Sequence, residues 1–426
     1  MTPFAVGPLR VAVLARSVYP LHRYGGLERH VYDLVQCLLD RDVRITLITP
    51  LPFLCTGGRP TDAAADAVFR HPQLTLIPVP YTTFPFANRR GTTILDRSTA
   101  YPMFGIRAGR AAARLVASGD IDLVHGLGAS ALGYARASGQ SRRAPLIFNP
   151  QGLEEFGATD PSRAPLKRLG YWPLRVAVRL SANAADRVIA TDRSLVDSVI
   201  SHLRVKPEVV RLIPNAIEPS ECDRPESASL ARTLRERIGL ESVDPLLISV
   251  GRLEANKGFG VLIRALAALV HKKAIPGTWR WVLVGDGPMR GELQRQIASA
   301  GLSDRAHLCG SVDDAQLHGW YEAATLFVHP TLYEGSSLVT LEAMAHRRAV
   351  VATRAGGIPD KVISGVNGWL VEPGDSQALA AAIREALSNT SRLDKMGAES
   401  RATVEREFSW SVATDRLLEM YRELLT

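Results

Sequence analysis

The chain has 426 residues, 46% hydrophobic and 22% charged, which excludes a disordered protein and exceeds what one ordinary core encloses. Its net charge of +8 is lopsided: residues 1–200 hold 24 Lys+Arg against 15 Asp+Glu, and the remainder holds 27 against 28. The basic half suits an anionic partner, whereas four scattered cysteines (Cys37, Cys55, Cys222, Cys309), with no CxxC pair and no histidine cluster beside them, argue against a zinc site or a disulfide framework.

No stretch reaches the ~20 apolar residues that cross a bilayer, and the N-terminus lacks the basic start of a cleaved signal, so a cytoplasmic protein is expected. "RVAVLAR" (10–16) reads as a first strand. Residues 27–40 follow as a helix, with Val31, Leu34, Val35, Leu38 and Leu39 at three- and four-residue spacing. Further strands are expected at 43–49, 121–126, 145–150 and 186–192, a doubly wound α/β pattern with a mostly parallel sheet. "EPSECDRPESAS" (218–229) is polar and reads as a linker. A second series then begins, with strands at 246–252, 280–287, 306–310, 325–331, 349–357 and 368–375. One long helix over 401–426 ends the chain. Two Rossmann-like domains are expected, 1–215 and 216–407, with the last helix, about 408–426, crossing back onto the first.

In such sheets ligands bind beyond the carboxyl ends of the strands. After the first strand, Gly25-Gly26 precedes a helix, where backbone amides can meet an anion. It is not a GxGxxG fingerprint, which argues against an ordinary nicotinamide enzyme. His125 ends the strand "DLVHG" and can hydrogen-bond a sugar or phosphate, or act in acid–base chemistry. In "SVGRLEANKGF" two cations, Arg252 and Lys257, share one strand-to-helix loop and suit a diphosphate. "VGDGP", with Gly285 and Gly287, allows close approach of backbone to a ligand. "YEGSSLVTLEAM" (333–344) places Glu334 before a helix and Glu342 inside it, with seven residues between them. Ser336 or Ser337 is a suitable N-cap, and the amides near Leu338 are open to phosphate.

These pieces, in this order and over almost the whole chain, resemble the retaining GT-B glycosyltransferases of family 4. The resemblance implies two Rossmann-like domains facing a central cleft, and transfer of a hexosyl unit from a UDP- or GDP-linked sugar to an acceptor hydroxyl. Gly26 would lie near the transferring sugar and the diphosphate, and His125 would hydrogen-bond the donor sugar. Arg252 and Lys257 would neutralise the diphosphate. Glu334, the first glutamate of an EX7E motif, would contact the sugar hydroxyls, and Glu342, the second, the ribose. Amides near Ser336, Ser337 and Leu338 would meet the phosphates. The family needs no metal and no cofactor. Relatives commonly read EGFG where this chain reads "EGSS", and two hydroxyls in that turn are expected to change donor preference.

The acceptor falls to the first domain. Arg107, Arg110 and Arg114 share one helix face, and Lys167, Arg168, Arg175 and Arg179 lie beside Tyr171 and Trp172. Such segments suit an anionic membrane surface and a lipid-linked acceptor, as against a saccharide or small molecule, or they form a merely solvated basic face. The work expected is polysaccharide, glycolipid or glycoconjugate synthesis, peripheral on the inner face of the cell membrane. Competing readings are an epimerase of the same fold and a non-catalytic nucleotide- or nucleic-acid-binding protein. The paired cations and glutamates argue against both, and no nucleic acid is expected as a partner.

Overall fold

A computed structural model of the chain describes residues 7–22, 26–51, 68–82, 92–137, 143–150, 153–156, 169–275 and 277–426. It divides into two compact units, Met1–Asn215 with Ala413–Thr426, and Ala216–Val412. The second boundary thus falls at 412/413, inside the final helix, rather than at 407.

The first unit runs β1 (Arg10–Leu14), α1 (Gly26–Leu39), β2 (Arg44–Pro50), β3 (Leu74–Val79), α2 (Thr92–Ala117), β4 (Leu123–Leu127), α3 (Leu132–Ala135), β5 (Leu146–Asn149), α4 (Trp172–Asn183), β6 (Arg187–Ala190), α5 (Arg193–Leu203) and β7 (Val210–Leu212). The strands form a parallel sheet in the order β3-β2-β1-β4-β5-β6-β7. The chain reverses direction across the sheet between β1 and β4, which is where open sheets of this kind bind ligands. Arg10 fixes that junction from the opposite end. Its guanidinium reaches both carboxylate oxygens of Asp122 at 2.9 and 2.6 Å and the Gly119 carbonyl at 2.6 Å. Phe104, Phe148, Tyr171 and Leu174 fill the core on one face.

The second unit runs α6 (Pro225–Arg237), β8 (Leu246–Val250), α7 (Phe259–His271), β9 (Arg280–Val284), α8 (Arg290–Ser299), β10 (Ala306–Gly310), α9 (Asp314–Ala323), β11 (Leu326–His329), α10 (Leu338–Ala345), β12 (Ala349–Thr353), β13 (Gly368–Val371), α11 (Ser376–Leu387) and α12 (Thr390–Glu407). Its parallel sheet has the order β10-β9-β8-β11-β12-β13, so the switch point lies between β8 and β11. β8 and β12 are buried at every position, as strands covered on both faces must be. Leu247, Leu283, Val328 and Val351 pack on one face, and Leu246, Val282, Phe327 and Val350 on the other.

Two expectations are corrected. Residues 218–229 are not a linker: Pro219 and Cys222 are buried, and Pro225, whose missing N–H costs nothing at a helix start, opens α6. The chain also does not end in one helix. Ile217 accepts from the Trp410 amide at 3.1 Å and donates to the Phe408 carbonyl at 3.0 Å. This strand-like bridge breaks the helix into α12 and α13 (Trp410–Leu425).

Glycine is required where the loops after β8 and β11 touch. Gly258 has φ +68°, and a Cβ there would stand 2.0 Å from the Pro330 carbonyl oxygen. Gly258→Ala is therefore expected to lose about 1–3 kcal/mol from the backbone conformation alone, plus the cost of displacing Pro330. Urea unfolding of the variant against wild type reads this directly, and a change under 0.5 kcal/mol contradicts it.

Candidate active site

The loops leaving β8 and β11 are tied together by their backbones. The Asn256 carbonyl accepts from the Leu332 amide at 2.7 Å and from the Thr331 hydroxyl at 3.0 Å. This brings Lys257 and Glu334 face to face: Nζ lies 2.7 Å from Oε2, with both side chains largely buried. The same oxygen is 3.0 Å from Nε2 of His329, the fully buried last residue of β11. Burial alone would raise the Glu334 pKa. The hydrogen bond and charge of His329, with those of Lys257, outweigh it and lower the carboxyl to about 2. His329 Nδ1 is buried and has no hydrogen-bond partner among the described residues.

Ser337 takes the N-cap position of α10, but its hydroxyl does not cap the helix. It turns instead to the Thr340 hydroxyl at 2.9 Å, so the first amides of α10 receive no side-chain cap. Ser336 Oγ accepts from the fully buried Lys361 ammonium at 3.3 Å. Further along α10, Glu342 accepts from the buried Tyr321 hydroxyl at 2.7 Å. Leu338 is the first residue of the helix.

Not every expected group converges here. Arg252 is 76% exposed and pairs with Glu254 at 2.8 Å rather than joining Lys257. Gly285 and Gly287 do allow a close approach, but to the chain itself. A Cβ on Gly285 (φ +133°) would lie 2.0 Å from the Gly251 carbonyl oxygen, and one on Gly287 2.7 Å from that of Leu253. Asp313 caps α9, accepting from the Gln316 amide at 2.8 Å.

In the first unit Gly26 opens α1 at an exposed position, and Gly25 lies outside the described residues. His125 is buried in β4, with Nδ1 2.7 Å from the Tyr421 hydroxyl of α13. Burial, with His30 nearby, lowers its pKa to about 3. The imidazole is thus neutral at ordinary pH, a hydrogen-bonding group and not a proton-loaded acid. Of the basic residues, Arg175 and Arg179 each stack 5.2 Å from the Phe156 ring and so serve packing, which corrects their assignment to a free basic face. Arg110 and Arg114 are exposed, and Lys167 and Arg168 lie outside the described residues.

Sequence reasoning missed His329, Lys361 and Tyr321. His329 sits in the expected strand "TLFVHPT", where its alternation with Phe327 is the only signal. The expectation that no histidine accompanies a cysteine also fails: Cys222, His318 and His346 place ligand atoms within 4.8 Å of one another. Tertiary packing, not sequence spacing, unites them.

Comparison with known proteins agrees with this layout. The family described as Glycosyltransferase Family 4 matches residues 24–221, and Glycosyl transferases group 1 matches residues 244–389. A D-inositol 3-phosphate glycosyltransferase of Catenulispora acidiphila is 31% identical over 324 residues, 74% of this chain and 75% of that protein. A sucrose-phosphate synthase of Thermosynechococcus elongatus superposes with TM-score 0.71 at 21% identity, covering 98% of this chain and 99% of the other. HepE of Anabaena, solved with UDP-glucose, superposes with TM-score 0.66 at 23% identity over 97% of this chain and all of its own.

The lowered Glu334 pKa has a signed consequence. Folding favours the ionised carboxyl, so its stabilisation is present above the ordinary value of 4.5 and is lost as pH falls toward about 2. Glu334→Gln is expected to destabilise the protein by about 3 kcal/mol near neutrality, with the difference shrinking below pH 4.5. Urea midpoints of both proteins from pH 7 to 3 test this, and a difference independent of pH contradicts it.

Proposed function

The chain belongs to the family 4, group 1 glycosyltransferases, which use nucleotide-sugar donors, and from that premise we propose that it moves a hexosyl unit to an acceptor hydroxyl with retention at the anomeric carbon. The observation that carries this reading is the Lys257–Glu334 pair at the β8/β11 switch point, followed by a helix that bears Glu342. Glu334 contacts hydroxyls of the donor sugar, and Glu342 holds the ribose. Lys257, Arg252 and the uncapped amides near Ser336, Ser337 and Leu338 carry the charge of the diphosphate, so no divalent ion is assigned to it. Arg252 reaches the phosphates by leaving Glu254, a surface pair of little energy. His125, a neutral hydrogen-bonding group, and Gly26 are assigned to contacts with the transferring sugar.

The electrostatic states support a front-face route. Glu334 is ionised and already accepts from two donors, which makes it a poor nucleophile and no proton donor. A neutral His125 is no general acid. The departing phosphate oxygen then takes the acceptor's proton, while the protein positions and neutralises. A fold neighbour carries UDP-glucose, which makes UDP the first base to test, before GDP. Among the described residues no helix is long and apolar enough to cross a membrane. The exposed Arg110 and Arg114, with Trp172 63% exposed, support a peripheral contact with anionic lipid and a lipid-linked or saccharide acceptor in glycoconjugate synthesis.

Nucleoside diphosphate release from a panel of UDP- and GDP-sugars, with and without acceptor, tests the activity. Lys257→Ala is expected to lower kcat about 10²–10³-fold, the cost of one charge-stabilising group. A loss under tenfold removes Lys257 from the reaction.

A further inference from the structure

Cys222, His318 and His346 come from three places in the second unit: the turn Pro219–Cys222, helix α9, and the residue that closes α10. All three are buried, at 7%, 8% and 2% exposure. Their ligand atoms lie within 4.8 Å of one another, and Nδ1 of His318 is 2.8 Å from Nε2 of His346. The outward nitrogen of each ring faces a carboxylate. Nδ1 of His346 is 3.3 Å from Glu322, itself 3.4 Å from Arg348, and Nε2 of His318 is 3.7 Å from Asp314.

The three side chains form one buried, nitrogen- and sulfur-bearing cluster backed by carboxylates. Two neutral imidazoles carry one proton each. One proton sits between the rings, so the ring that donates it has its outer nitrogen as an acceptor. Binding a cation between the inner nitrogens lets both outer N–H groups donate to Asp314 and Glu322, the carboxylate–histidine–metal pattern of ligated imidazoles.

We propose that Cys222, His318 and His346 bind one zinc-type divalent transition-metal ion. One thiolate and two imidazoles are a borderline-soft set, suited to zinc and unsuited to calcium or magnesium. Zinc distances of about 2.0–2.3 Å place tetrahedral ligands about 3.3–3.8 Å apart, so the rings part slightly and the sulfur moves inward. The thiol releases its proton to solvent as the metal–sulfur bond forms. Asp314, Glu322 and Glu342 then balance the ion's remaining charge, and a water takes the fourth position. The ion joins the turn at Cys222 and α9 to the end of α10. There Tyr321 stacks on His346 at 5.5 Å and donates to Glu342, so the metal steadies the carboxylate assigned to the ribose. The assignment of the metal stands on its own ligands and does not depend on the transferase activity.

Metal-stripped, tag-free full-length protein titrated with Co²⁺ gives the test. The expected result is a thiolate-to-cobalt charge-transfer band with tetrahedral d–d bands, saturating at one ion per chain and displaced by Zn²⁺. Cys222→Ser should abolish the charge-transfer band, Glu322→Gln should weaken binding about 10–100-fold, and Cys309→Ser should leave the spectrum unchanged. A folded wild-type protein that shows no such band overturns the proposal, as a hydrogen-bonded or protonated trio would, whatever the variants do. A band that survives Cys222→Ser overturns it as well. Should Cys222→Ser not fold, the wild-type spectrum and Glu322→Gln still decide.

Discussion

The ion pair between Lys257 and Glu334 is the constraint around which the second unit is organised. It joins two loops 77 positions apart, and it places two opposite charges in a largely buried setting where neither is tolerable alone. A buried pair of this kind adds little net stability over an apolar core, but loss of one partner is costly because the other charge remains. Its value is then positional. Two backbone devices and one ring contact hold it: the Asn256 carbonyl gathering the β11 exit, the bare face of Gly258 against Pro330, and the stacking of His329 on Phe327 in β11.

The pair also sets the chemical character of the site. A carboxylate held by an ammonium and an imidazole stays charged across the physiological range, and it keeps its orientation without a ligand. Such a group can accept sugar hydroxyls without reorganising, which is how preorganised polarity lowers a barrier. The ammonium has donors left over for phosphate. Arg252 behaves differently. On the same loop it is 76% exposed and paired with Glu254, so the two basic residues the sequence presents as equals are unlike in burial and in partner.

Most of the architecture was legible because parallel strands buried on both faces leave continuous apolar runs, as "LLISV" and "AVVAT" do. The places of Lys257, Glu334 and Ser337 were legible for a related reason: they follow the carboxyl ends of β8 and β11, and Glu342 lies in the helix that comes next. What escaped depends on contacts distant in sequence. The break after Phe408 is made by Ile217, nearly two hundred residues earlier, and no local pattern in "EREFSWSV" announces it. The segment 218–229 looked like a linker because its prolines and serines are polar in composition, whereas Pro225 is a helix opener. His329, Tyr321 and His318 belong to a strand and a helix that read as core, Cys222 lies in the segment read as a linker, and His346 just follows α10; a core histidine looks the same in sequence whether or not it meets a glutamate.

The central claim is that Glu334 and Glu342 grip opposite ends of one donor. Calorimetric binding of a nucleoside diphosphate and of its sugar conjugate, UDP first and GDP second, separates the two ends in one experiment. The account predicts that Glu342→Gln weakens both ligands by the same factor, about tenfold or more, as expected for loss of a hydrogen bond to a charged acceptor. It predicts that Glu334→Gln weakens only the sugar conjugate. Equal weakening of both ligands by Glu334→Gln, or a Glu342→Gln effect confined to the sugar conjugate, would contradict it.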